Sequence, residues 1–379
     1  MKRAVKISDN VISPLGTSTV ENLDAILRGE SALRVHSGSE KDIPEDFCAS
    51  LIDEESLSGE YLNAGIPLEE YTPFERRLIL SISKALSGTG IDPSSRRVLF
   101  VISSTKANVE LLHSENPSGK EYPGYSAVKV ASFFGNGNAP LTVSNACISG
   151  LSAQITAVRE LECGHFDTAI VAGADIQSRF IISGFQSFKA LSPRPCRPFD
   201  SSRDGLNPGE AAATVIYTWK EPQEGEWYAE RGAVRNDANH ISGPSRTGEG
   251  SYRALKAVMD DPEELAMVNV HGTATVYNDE MESIALSRAG LSAVPVNGYK
   301  GYYGHTMGAA GIMETALSMA SLDKGVIVGM KGYSECGVSC ALNISNENRP
   351  ASGKAFIKLL SGFGGCNAAM LFRKKGGAL

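Results

Sequence analysis

The sequence predicts an α/β protein built around buried sheets, and three observations carry that prediction. Short β-branched runs recur along the chain, helical patterns lie between them, and 379 residues with 42% apolar content suffice for two domains or one large α/β unit. Five runs read as buried strands: 98–102 (VLFVI), 168–173 (TAIVAG), 211–217, 265–270 and 355–360. A sixth strand-like run, 227–234, follows the polar turn KEPQEG at 220–225. Two halves, 1–240 and 241–379, are expected to meet just after it. Residues 37–60 hold eight acidic residues and one Lys and read as an exposed loop or insertion. The sequence shows no internal repeat.

Composition narrows the function classes. With 36 basic and 43 acidic residues the formal charge is −7, which argues against nucleic acid as a general partner. Seven cysteines in a chain this long do not form a disulfide framework, and the odd count leaves one unpaired. A reduced, cytoplasmic protein is expected. No apolar run reaches the length that spans a bilayer. Asp9, Asn10 and Pro14 also interrupt the start too soon for a signal-peptide core.

Three stretches place reactive side chains where strands stop. In VSNACISG (143–150), Ile148, Leu151, Ile155, Val158 and Leu161 recur at helical spacing, with Gly164 as a stop. Cys147 therefore falls at the first turn of an amphipathic helix, where free N–H groups and the helix dipole favour a thiolate. The same pattern also fits a buried Cys packing as a small apolar residue. In VNVHGTAT (268–275), His271 follows a buried strand directly, at the carboxyl end where α/β sheets collect catalytic groups. A histidine capping a turn would look the same. In KGYYGHTMGAAGIME (300–314), Thr306 is placed to cap the next helix, and Gly308 to Gly311 give it a face nearly free of side chains. Glu314 lies on the stripe with Met307, Ala310, Leu317 and Ser321; a carboxylate there needs a partner, and Lys300 is the candidate. Finally, SGFGG (361–365) flanks Phe363 with glycines, a turn able to approach a ligand or simply to join two strands.

Together these stretches resemble the β-ketoacyl-acyl-carrier-protein synthases, elongating condensing enzymes of the thiolase-like superfamily. The matching segments are NACISG, RPFDSSRDGLNPGE (197–210), NVHGTATVYNDE (269–280), KGYYGHTMGAAGIME and SGFGG, in the family's order. The resemblance implies a five-layered α-β-α-β-α fold of two similar halves related by a pseudo-two-fold axis. It implies that Cys147 takes an acyl chain from carrier protein and that His271 and His305 assist decarboxylation of malonyl-carrier protein. Lys300 and Glu314 would hold the histidines, and the N–H groups of Cys147 and Phe363 would form an oxyanion hole. No metal, nucleotide or redox cofactor is implied. The implied assembly is a homodimer, or a heterodimer with a related chain.

Departures from the family pattern bear on the substrate. Ile148 stands where the family usually has Ala and is expected to reshape the acyl pocket. Asn145 replaces Thr, and VISSTKAN (101–108) replaces a Gly-rich segment. The stretch 190–198 is shorter than usual. A thiolase-type acyltransferase is an alternative, with Cys336, Cys340 or Cys366 as its second cysteine. A subunit of a heterodimeric synthase with little activity alone is another. Lys189, Arg194, Arg197 and Arg203 could form a basic surface for the acidic carrier protein, or be solvated with Arg197 or Arg203 paired to Asp200 or Asp204.

Overall fold

A computed structural model of the chain describes residues 1–113, 119–259 and 261–376. Among these residues eleven strands form one large sheet: β1 (Arg3–Ile12), β2 (Val98–Ser103), β3 (Leu141–Val143), β4 (Thr168–Asp175), β5 (Ala211–Lys220), β6 (Trp227–Asn236), β7 (Leu265–Asn269), β8 (Pro295–Asn297), β9 (Asn343–Ile344), β10 (Ala355–Gly362) and β11 (Cys366–Lys374). Eight longer helices accompany them: α1 (Thr19–Leu27), α2 (Pro73–Leu86), α3 (Pro123–Phe133), α4 (Ser149–Glu162), α5 (Arg179–Ser187), α6 (Glu249–Val258), α7 (Val276–Arg288) and α8 (Ala310–Asp323), with two short ones at Ser58–Asn63 and Lys300–Tyr303. The six strands expected from apolar runs are all present.

The sheet repeats one pattern twice. Outward from the centre the first half runs β1, β5, β4, β2, β3, and the second runs β6, β11, β10, β7, β8, with β9 added at the edge. In each half two antiparallel pairings are followed by two parallel ones. The halves touch where β1 meets β6, through Ala4–Ala229 and Val5–Tyr228. This symmetry lies in topology, which explains why no repeat shows in the sequence: burial and handedness constrain the path of a chain more than its residue identities.

Helices α4 and α8 pack on each other between the inner faces of the two half-sheets, contacting strands of both. On the outer faces lie α2 and α3 over the first half, and α6 and α7 over the second. The layers are therefore α-β-α-β-α, the thiolase-like arrangement. Three apolar cores correspond to them, one around the central helices and one under each outer pair. The central contact depends on absent side chains. A methyl group added at Gly311 would lie 2.3 Å from the Leu151 nitrogen, and one at Gly150 would lie 2.7 Å from the Gly308 carbonyl oxygen. The small-residue face expected at 308–311 thus lets α8 approach α4 backbone to backbone.

Two local expectations need correction. Residues 37–60 are not simply an exposed loop: Phe47–Ala49 pairs with Arg34–His36, and Ile43, Phe47, Cys48, Ile52 and Leu57 are buried. Acidic side chains point outward between these anchors, so charge counting alone hid them. Thr306 does not cap through its hydroxyl, which lies 3.9 Å from the Met313 sulfur. The chain enters α8 through a 3-10 turn, Met307–Ala309, instead. No helix of the described residues is long and apolar enough to cross a membrane.

Candidate active site

Cys147 sits between β3 and α4, two residues before the helix begins. Ala146 before it has φ +45°, a left-handed conformation that bends the chain into an elbow. Ser149 fixes the elbow: the Asn145 N–H donates to its hydroxyl at 2.7 Å, and the hydroxyl donates to the Ala146 carbonyl at 2.6 Å. In the second half, His305 follows β8 as Cys147 follows β3. His271 lies just past the carboxyl end of β7. The pseudo-symmetric halves thus deliver three groups to one point. The Cys147 sulfur and a nitrogen of each ring all lie within 4.8 Å of one another. The two rings meet edge to face with centroids 5.0 Å apart.

Both imidazoles are neutral. Burial holds them well below the usual histidine value, and the charges of Lys300 and Lys358 press in the same direction. The Met307 N–H donates to His305 Nδ1 at 3.3 Å, which puts the ring proton on Nε2; that atom is buried without a partner. His271 Nδ1 is likewise buried and unpartnered. Among the described residues, Cys147, His271 and His305 are also the cluster able to hold a metal ion. A metal-ligating histidine donates its other N–H to an acceptor, however, whereas His305 Nδ1 accepts one. The pattern fits hydrogen-bond donation better than ligation.

Cys147 corrects one expectation. It lies beneath the surface and meets solvent only in part. Burial pushes its thiol up to about 11, although the Lys300 charge and the Phe363 N–H each pull it down. The resting group at neutral pH is a thiol, because desolvation outweighs the pull of Lys300, Lys106 and the Phe363 N–H. A nearby neutral imidazole can take its proton when it reacts.

Lys300 and Glu314 are both buried and pair at 2.9 Å. A third member, Lys358, was not singled out from the sequence. Fully buried on β10, it lies 2.5 Å from the other Glu314 oxygen and donates to the Val270 carbonyl at 3.1 Å. Burial brings its ammonium down to about 8. Burial raises the Glu314 carboxyl, but the two cations outweigh it and hold it below its usual value. The signal was present: one Lys inside the apolar run AFIKLL. Glu282, also missed, accepts the N–H groups of His271 and Gly272 at 2.7 Å each, and burial pushes it up to about 7. It stands two residues beyond the quoted NVHGTATVYNDE segment, on α7, whose other buried carboxylate, Asp279, accepts from the Phe199 N–H at 2.7 Å.

The SGFGG turn is both things it could have been. It joins β10 to β11, and it reaches the nucleophile: a methyl added at Gly362 would lie 3.1 Å from the Cys147 nitrogen. Phe363 is partly exposed and meets Phe185 and Phe188. Two cavities open from Cys147 on either side of these rings. One, of about 340 Å³, holds His271, His305, Thr273 and Thr275 and has Lys189 on its wall. The other, of about 590 Å³, is lined by Thr105, Lys106, Met307 and the aromatic face of α5.

Other predicted residues fall elsewhere. Ile148, expected at the acyl pocket, is fully buried in the central core and lines neither cavity, because the turn into α4 points it inward. Arg194 pairs with Asp204 and Arg197 with Asp200, each at 3.0 Å, while Arg203 donates to backbone carbonyls, the Asp200 carbonyl among them. Lys189 alone of that cluster stands at a cavity. Of the three cysteines considered for a thiolase, Cys336 and Cys340 lie away from the site. Cys366 approaches it, but donates to the Phe363 carbonyl at 3.3 Å and is pushed up to about 12 by burial.

An elbow cysteine facing two neutral imidazoles, delivered by the strand ends of a thiolase-like fold, defines an acyl-transferring condensing enzyme. The chain belongs to the beta-ketoacyl synthase family: residues 7–221 match the model "Beta-ketoacyl synthase, N-terminal domain", and residues 229–333 match "Beta-ketoacyl synthase, C-terminal domain". It is 26% identical to the granaticin polyketide putative beta-ketoacyl synthase 1 of Streptomyces violaceoruber, over 98% of each chain. It is 28% identical to nodulation protein E of Rhizobium leguminosarum bv. trifolii, over 96% of this chain and 92% of that one. Its fold is shared with the ketosynthase ApeO in complex with its chain length factor ApeC from Xenorhabdus doucetiae (TM-score 0.82, 23% identity, 98% of each chain). It is also shared with the ishigamide ketosynthase/chain length factor (TM-score 0.86, 22% identity, 99% of this chain and 100% of that one).

Proposed function

We propose that the protein extends an acyl chain held on Cys147 by condensing it with malonyl carried on an acyl carrier protein. In the first step the Cys147 sulfur bonds to the acyl carbonyl carbon, the bond to the carrier sulfur breaks, and the cysteine proton passes to the departing carrier thiol. Malonyl-carrier protein then loses carbon dioxide. N–H donors on His271 and His305 stabilise the enolate charge on its thioester oxygen. The enolate carbon attacks the acyl-Cys147 carbonyl, whose oxygen is held by the N–H groups of Cys147 and Phe363. Cys147 leaves and is reprotonated, and the carrier departs with a 3-oxoacyl chain two carbons longer. Lys300, Glu314 and Lys358 are positioning residues that keep the imidazoles neutral and in place.

The observation that carries this reading is the neutral His271–His305 pair with unpartnered ring nitrogens beside the cysteine. A decarboxylating site needs donors that are not already charged or occupied. Cys147→Ala is expected to abolish acyl addition, read as intact mass after incubation with acyl-carrier protein. His271→Ala and His305→Ala should still be acylated but lose malonyl decarboxylation by about 100-fold or more. Mass addition on Cys147→Ala, or unchanged carbon dioxide release from either histidine variant, would refute the assignment.

We further propose that the two halves, expected from the sequence to divide at 240, divide instead in the turn before β6, since β6 takes in the second half the position that β1 takes in the first. Dimerisation is proposed through the edge strand β3, beside which Tyr122, Tyr125 and Val128 are exposed. The partner is a second copy or a related chain, as in the ketosynthase–chain length factor complexes of the structural relatives. Seven free cysteines fit a reducing, cytoplasmic setting.

A further inference from the structure

The larger cavity beside Cys147 is apolar on most of its wall, formed by Phe180, Ile181, Phe185, Met307 and Phe363. Its volume of about 590 Å³ suits a medium-sized ligand. Two cations break that surface, the exposed Arg179 and the half-buried Lys106. Its ammonium donates to the Thr105 carbonyl at 3.3 Å and has no carboxylate partner among the described residues. Its charge nevertheless acts on the Cys147 thiol, lowering its pKa.

The loop that carries Lys106 is built rigidly. The Thr105 N–H donates to both oxygens of buried Asp175, at 3.1 and 3.0 Å, and the Lys106 N–H reaches the same carboxylate at 3.2 Å. The Ala107 N–H donates to the Ser104 hydroxyl at 2.7 Å, and Ala107 takes φ +46°. Asp175 also accepts from the Gly308 N–H at 2.7 Å, tying the loop to the turn after His305. A backbone held this firmly presents the lysine at a fixed place along the cavity wall.

An alkyl tail filling this cavity would strip water from an ammonium without a carboxylate partner and offer nothing in return. A tail bearing an oxygen acceptor would replace that water with a charge-assisted hydrogen bond. We propose that the cavity selects acyl chains whose tail carries a carboxylate or keto oxygen, with Lys106 as the specificity-determining residue. The inference rests on Cys147 being the acyl acceptor. The step is the same thioester exchange: the Cys147 sulfur–carbon bond forms, the carrier sulfur–carbon bond breaks, and the proton moves to the carrier thiol.

The test compares carrier protein loaded with octanoyl, 7-oxooctanoyl or suberoyl groups, following mass addition to Cys147 in the full-length protein. At least one oxygenated chain should transfer about tenfold faster than octanoyl. Preference for suberoyl identifies a carboxylate as the ligand, and preference for 7-oxooctanoyl a keto oxygen. Lys106→Met should abolish or reverse the preference, and Lys106→Arg should retain it. If octanoyl transfers as fast as both others, or if Lys106→Met leaves the ratios unchanged, the inference is overturned while Cys147 remains the acceptor. If no chain adds to Cys147, both this inference and the condensing reading fail.

Discussion

Cys147 and the two imidazoles share surroundings that act on them in opposite chemical senses. Burial keeps the thiol protonated and the histidines unprotonated, so all three rest neutral. Alkylation of Cys147 by iodoacetamide should therefore accelerate about tenfold per pH unit from neutrality towards pH 10. A rate already flat at pH 7 would mean that the thiolate preexists. Lys358 makes a second prediction at this scale. It lies between Glu314 and the carbonyl that precedes His271, and its charge is among the causes that hold both histidines down. Lys358→Met should leave acylation of Cys147 intact, slow malonyl decarboxylation by about tenfold, and move the acid limb of that reaction to higher pH. A uniform loss with an unmoved pH profile would assign Lys358 to folding alone. Cys147 and His271 were legible in sequence because one opens a helical period and the other follows a strand-like run, and His305 was legible through the family motif that contains it. Lys358 and Glu282 were not, because their meaning lies in partners far along the chain.

At the scale of elements, the contact of α4 with α8 decides where the nucleophile stands. Gly311 exists for that contact, since a methyl there would strike the Leu151 backbone. Gly311→Ala should destabilise the protein by about 1–3 kcal/mol through overpacking. Thermal unfolding would record a fall in Tm, and an unchanged midpoint would show that the helices can separate without penalty. The same contact explains the fate of Ile148. Its bulk beside Cys147, where the family usually has Ala, marked it as important, but only the direction of the turn into α4 told core from pocket. Strands and helices were readable because burial on both faces leaves continuous apolar runs, and one buried face leaves a helical period. The segment 37–60 was misread because its inward residues are isolated between charges and follow neither period.

Across the whole molecule, two chemically unlike half-chains fold alike and meet so that one supplies sulfur and the other imidazoles. That design has a cost visible in pH. The folded imidazoles resist protonation, while in the unfolded chain they take protons around the ordinary histidine value of about 6.5. Their contribution to stability is present above pH 6.5 and is lost as pH falls below it, because the unfolded state then binds more protons. Tm should drop between pH 7 and pH 5.5 by more in the wild type than in a His271→Asn, His305→Asn double variant. Equal slopes would show that other groups govern the acid side. By itself the sequence determined the α/β class, the order of the main strands and the family motifs that contain Cys147, His271 and His305, since each rests on local pattern. The tertiary structure alone decided their protonation, the two-cation clamp on Glu314 and the presence of Lys106 on a cavity beside Cys147. Those depend on desolvation and on charges brought together from distant segments, and no local spacing encodes either.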